Sequence, residues 1–368
     1  MKQAIAAFTI ASACLAAGLI AAPPDGATPA SWNARAAAAY LDGRQAWWTS
    51  WTPAQRDHDT ACVSCHTVLP YALSRPALAA ALAERETPAA ERTMLDQVIK
   101  RVRLWREVEP FYSDQTRGLP KTSESRGTEA ILNALILATR DAGASSLSDD
   151  GRKAFENLWA LQLKAGAESG GWAWLDFHNE PWEAPGSQYF GNSLAAIAIG
   201  TAPGGYASVP EVQDGVKRLA AYLQSGAEKG TLLNRAMIVW ASAKIPGVLT
   251  TAARDRIVDD LLAKQQSDGG WSAASLAGDW TRHDSTPLDR VSDGYATGLV
   301  TFALEEAGRS ASDPAVARGR AWLIQHQDAG NGSWSATSLN KARDPESDIG
   351  KFMRDAATGY AVLALTRK

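Results

Sequence analysis

The sequence predicts an all-α fold, an (α/α)6 toroid built from helical hairpins, on three observations. Ala-rich apolar stretches alternate with Gly, Asp and Ser punctuation, and the period-2 alternation of β-branched residues that marks strands is nearly absent. A turn unit recurs, in which a helix ends in Gln, a Gly-rich turn follows, and a Trp often closes it. It reads Gln162 to Gly170-Gly171-Trp172, then Gln265-Gln266-Ser267-Asp268-Gly269-Gly270-Trp271, then Gln327-Asp328 to Gly332-Ser333-Trp334, and Leu223-Gln224-Ser225-Gly226 is a degenerate copy without the Trp. A spacing of about 40–60 residues leaves room for one helical hairpin per repeat. Finally, charged helices alternate with helices that are apolar around most of their circumference, which belong inside.

Taken in order, the chain opens with Met1-Lys2-Gln3 and runs apolar or small from Ala4 to Ala22, which reads as a signal peptide over 1–22. Ala11-Ser12-Ala13 before Cys14 weakly resembles a lipobox, and the stretch is close to spanning length, so an acylated Cys14 or an uncleaved anchor are the alternatives. The predicted location is periplasmic or secreted, with membrane contact only through this leader. Residues 32–82 form an N-terminal hairpin, with Trp32 to Trp51 as the outer helix and Thr60 to Leu82 as the inner one. Residues 83–368 supply the rest of the toroid as five hairpins: 90–138, 151–200, 211–243, 252–307 and 313–366. Six pairs is the number that closes a ring rather than leaving an open solenoid.

The first hairpin contains Cys62-Val63-Ser64-Cys65-His66, a C-x-x-C-H stretch of the kind that attaches a c-type haem. Two thiols add to the haem vinyl groups, and the adjacent histidine binds iron. The chain has three Cys, and Cys14 lies in the leader, so this motif uses both Cys of the mature body. One covalent haem c on Cys62 and Cys65, with His66 as proximal iron ligand, is therefore expected. Distal candidates are Met353, His283, Met237 and His58; an open iron would permit oxygen or peroxide chemistry. The competing readings are an exported redox pair, which lacks a thioredoxin-like βαβ context, and half of a zinc site, which lacks its second half.

The net charge of -3 implies no nucleic-acid partner. Trp is overrepresented, with 14 residues, which suits either an isoprenoid or a sugar ring.

The turn at 266–271 and the Asp293-Gly294-Tyr295-Ala296-Thr297-Gly298 helix start resemble the terpenoid cyclase and prenyltransferase α/α-toroid superfamily, related to squalene-hopene cyclases. The turns at 162–172 and 327–334 are similar to its QW motifs. The resemblance spans residues 90–366 and speaks for fold more than activity. It implies that Gln162, Gln266, Gln327, Trp172, Trp271 and Trp334 are scaffold. The chain has neither D-x-D-D nor D-D-x-x-D/E, and its cysteines do not fit the zinc pattern of protein prenyltransferases. In such toroids the ligand cavity lies where the inner helices begin. The repeat phase puts Glu129, Asn192, Asn234, Asp293 and Asp355 level with the C-x-x-C-H stretch as cavity candidates, with helix capping or local pairing as the plainer roles.

The sequence thus points to an exported c-type haem protein on a toroid, acting in electron transfer or as an oxidoreductase, with a redox partner or a hydrophobic small molecule as its counterpart. The alternatives are a cyclase-like or glycan-active enzyme using cavity carboxylates, or a non-catalytic binding or scaffold protein.

Overall fold

Twelve long helices in two concentric rings, joined by connections that include the short helices Asp114–Arg117 and Ala273–Leu276, make up the computed structural model, which describes residues 31–367. The leader, with Cys14, lies outside the described residues. The helices are α1 Ala34–Ser50, α2 Val68–Leu82, α3 Ala89–Arg103, α4 Lys121–Asp141, α5 Asp149–Ala160 and α6 Gln188–Thr201. They continue as α7 Pro210–Lys229, α8 Leu232–Lys244, α9 Thr251–Leu262, α10 Gly294–Glu306, α11 Pro314–Gln325 and α12 Phe352–Thr366. Each even-numbered helix packs on the next even-numbered one, and α12 returns to α2, so six inner helices close a barrel. The odd-numbered helices lie outside.

Composition explains which ring each helix joins. Every residue of α10 is buried, and so are Phe190 to Ile199 of α6, so both need apolar or small side chains on all faces. By contrast α3, α5 and α7 bury one stripe and leave their charged faces in water. Small residues let the inner helices approach closely: a Cβ on Gly298 of α10 would stand 2.6 Å from the backbone nitrogen of Ala361 on α12. The only sheet among the described residues is a two-stranded pair, β1 Gln55–Arg56 with β2 Thr60–Ala61.

The recurring turns brace the rings in one repeated way. The indole N–H of Trp172, Trp271 and Trp334 donates to the carbonyl of Leu158, Leu261 and Leu323 near the end of the preceding outer helix, at 2.6, 2.8 and 2.6 Å. All three indoles are fully buried. Gln162 Nε2 donates to Gly170 of its own turn and to Gly215 of α7, and Gln327 Nε2 to Gly332 and to Asn33. In the middle turn this role falls to Gln265, which reaches Gly269 and Ala315, whereas Gln266 bonds Arg290. The scaffold glutamine expected at 266 is thus one residue earlier. Gly170, Gly269 and Gly332 sit at φ 95°, 94° and 78°, where a side chain is strained. The degenerate copy at 223–226 makes no turn, because α7 continues to Lys229.

The last turn also closes the ring. Asn33, the N-cap of α1, donates its backbone N–H to Gln327 Oε1 at 2.6 Å and receives Gln327 Nε2 on its carbonyl. No helix among the described residues is long and apolar enough to cross a membrane.

Candidate active site

The inner helices begin at one mouth of the barrel, and the first of them begins later than expected. Residues 60–61 pair with β1, and Cys62 N–H bonds the Ala54 carbonyl. Ser64 Oγ then accepts the N–H groups of Thr67 and Val68, which starts α2 at Val68. Cys62 and Cys65 therefore lie in the lead-in rather than in the helix, and both are buried free thiols. Burial pushes the Cys62 thiol up to about 12 and Cys65 well above its ordinary value.

His66 is fixed on three sides. Its ring stacks on Phe352 at 3.7 Å, with Trp48 at 5.0 Å and Trp182 at 5.5 Å. Its Nδ1 lies 2.9 Å from Thr67 Oγ1, and the Thr67 hydroxyl donates to Asp355 Oδ2 at 2.7 Å. Asp355 also accepts Tyr40 Oη and Arg44 Nε. Burial raises the Asp355 carboxyl, but the guanidinium on both of its oxygens keeps it an acceptor. A hydroxyl whose single proton goes to Asp355 can only accept from His66, so Nδ1 carries the ring proton and Nε2 a lone pair. Nε2 has no hydrogen-bond partner among the described residues, and His66 lines the cavity at this mouth. Burial, with Arg44 and Arg343 nearby, lowers the imidazole to about 3, so it is neutral near pH 7.

That cavity, about 250 Å³, is closed by loops rather than by the helix starts themselves. The 163–187 connection between α5 and α6 folds back over the mouth. Phe177 and Asn179 N–H both bond the Glu183 carbonyl at 2.9 Å, and Ser187 Oγ holds the Pro181 carbonyl. This turn places Glu180, Trp182 and Glu183 on the cavity wall. Asn340 and Arg343 face them from the 335–351 connection, which Asn340 Nδ2 ties to the His178 carbonyl at 3.1 Å. Glu180 lies 3.0 Å from His283 Nε2. Burial pushes the Glu183 carboxyl up to about 7, against the pull of its Asn179 hydrogen bond and Lys121.

The residues named from the sequence take up these positions. His66 and Met353 line the cavity together, and His283 reaches it through Glu180. Met237 is fully buried in α8, and His58 is exposed at φ 53° in the turn between β1 and β2. Glu129 is buried against Arg101, whose Nη2 reaches Oε2 at 3.2 Å, with Arg126 further off at 3.7 Å. Asn192 brackets Trp172 by bonding both its N–H and its carbonyl. Asn234 holds the Gly186 carbonyl, and Asp293 caps α10 through Ala296 N–H while also accepting Ala273 N–H. Glu180, Trp182, Glu183, Asn340 and Arg343 were not singled out from the sequence. The one signal for them is that the 163–187 connection is far longer than a turn needs.

No family model matches the chain, and no curated protein does. Among solved structures, unsaturated glucuronyl hydrolase from Bacillus sp. GL1, described as responsible for the degradation of glycosaminoglycan, is similar at a TM-score of 0.52 and 10% identity. The match covers 91% of this chain and 96% of that one, and it shows the α/α-toroid fold. The terpenoid-cyclase resemblance holds as far as the toroid.

The expectation of a c-type haem protein acting in electron transfer is corrected. A solved structure sharing this fold is that of a glycosaminoglycan-degrading hydrolase, and no group of three or more His, Cys, Asp or Glu able to hold a metal occurs among the described residues. The local packing gives a physical reason: Cys62 and Cys65 are both buried, and neither lines the cavity that His66 faces. The expected roles of iron and electron transfer fall with it.

Proposed function

We propose that this mouth is the active site of a glycan-active hydrolytic enzyme. One observation carries the reading: the 176–187 turn puts two acids, Glu180 and Glu183, into a single cavity with His66, Arg343 and the rings of Trp182 and Phe352. A carboxyl raised to about 7 holds a proton near neutrality and can give it to a glycosidic oxygen as the bond to the sugar breaks. Glu180 is the companion carboxylate that takes a proton from the attacking water. The neutral His66 offers Nε2 as an acceptor to a sugar hydroxyl, and Trp182 and Phe352 offer apolar faces to a ring. Arg343 has no carboxylate partner among the described residues and bonds Asn340, which suits an acidic sugar. Support also comes from the glycosaminoglycan-degrading toroid that shares the fold.

The test is reducing-end release from neutral and uronate-containing oligosaccharides. Cleavage of the acidic set, reduced about 100-fold or more in Glu183→Gln, is expected. Full activity in that variant overturns the assignment. So does inertness toward every glycan, combined with a Soret band in protein matured in a haem-loading periplasm.

A further inference from the structure

The barrel has a second mouth, where the inner helices end, and it holds a cavity of about 320 Å³ separate from the site above. All six inner helices line it. Leu73 of α2, Ile197 of α6, Trp240 of α8, Phe302 of α10 and Leu363 of α12 give it an apolar wall, with Thr139, Thr201 and Thr366 among its lining at the helix ends. Trp240 meets Phe302 edge-on at 4.9 Å.

Two features set this cavity apart from ordinary packing. Trp240 is 4% exposed, yet its indole N–H has no acceptor, whereas Trp172, Trp271 and Trp334 each donate to a backbone carbonyl. A buried N–H without a partner is costly unless something else supplies the acceptor. The rim is also unbalanced. Lys244 Nζ and Arg367 Nη1 share one carboxylate, Glu306, at 2.8 and 3.0 Å, while the neighbouring Glu305 pairs one to one with Arg320. Two cations on one acid give the charged side chains of the rim one more cation than acid.

We propose that this second mouth binds a small apolar molecule carrying one anionic head group, such as a chain carboxylate. The tail fills the chamber and displaces water. The head meets Lys244 and Arg367, and a head oxygen accepts the Trp240 N–H. Each methylene buried should tighten binding about fourfold until the chamber is full. This does not depend on the glycan reading.

The test is titration of the full chain with 1-anilinonaphthalene-8-sulfonate by fluorescence, followed by displacement with straight-chain carboxylates and with alcohols of equal length. One site per chain is expected, with carboxylates at least tenfold better than alcohols. Leu73→Trp, which fills the chamber, should abolish binding, and Trp240→Phe, which keeps the ring and removes the N–H, should weaken it with circular dichroism unchanged. No saturable binding, indifference to the head group, or binding untouched by Trp240→Phe overturns the proposal; the last holds even if Leu73→Trp does not fold.

Discussion

His66 shows how one hydroxyl can decide the chemistry of a ring. Thr67 spends its only proton on Asp355, and that alone selects the tautomer with Nε2 free. Thr67→Val removes the acceptor while keeping the shape. We expect the nitrogen-15 signature of His66 to move from one tautomer to a mixture, with little loss of stability; an unchanged signature would contradict the relay. The imidazole also links pH to stability. Its folded value, about 3, is below the ordinary 6.5, so the folded state disfavours the proton. Stability should be full above about 6.5 and decline as pH falls toward 3, and His66→Gln should flatten that part of the acid limb in denaturant titrations. Glu183 has the opposite sign. Its carboxyl is raised to about 7 and must be protonated to act, so turnover should fall as pH rises through about 7. A rate flat from pH 5 to 9 would remove Glu183 as the donor.

At the scale of elements, the turns carry the scaffold and were largely legible. The Gly-Gly-Trp pattern announces a positive φ followed by a buried indole, and the structure has both. Trp271→Ala should cost about 3–5 kcal/mol in urea titration, through the lost volume and the stranded Leu261 carbonyl. The register of the preceding glutamine was not legible, because Gln265 and Gln266 are chemically identical neighbours and only helix phase tells them apart. Gln265→Ala strands two backbone carbonyls across a hairpin boundary, and should cost about 1–3 kcal/mol. Gln266→Ala, which touches an exposed loop carbonyl, should cost well under about 1 kcal/mol. Equal losses would show that the two roles are shared. The helix α2 starts at Val68 rather than at Thr60 for a related reason: Ser64 acts as a local hydrogen-bonding stop, which the apolar pattern of the run does not encode.

For the molecule as a whole, closure depends on contacts about 300 residues apart in the chain. Asn33 with Gln327, and Asp355 with Arg44 and Thr67, join the last hairpin to the first. Asp355→Ala would leave the buried Arg44 with only the half-exposed Asp348 as acid partner and strand its Nε, and a loss of about 2–3 kcal/mol is expected. An open solenoid would fray from such a lesion, whereas a closed ring should still unfold in one transition, which hydrogen exchange can distinguish. Ring closure could be argued from counting six helix pairs. The cavity wall could not, because Glu183 and Arg343 lie 160 positions apart on irregular connections, and no periodicity relates them. The C-x-x-C-H motif has a short-range signature that says nothing about what packs on it. Phe352 arrives from the far end of the chain.

The enclosed pair of thiols has a further use. Thiolate is the reactive form, and burial has all but removed it from the native state at neutral pH. Alkylation by iodoacetamide must therefore wait for the first hairpin to swing away from α12. Among the described residues Cys62 and Cys65 are the only cysteines, so the rate at which these two are labelled counts openings of the ring seam. The molecule contains a clock for its own breathing, readable by mass alone.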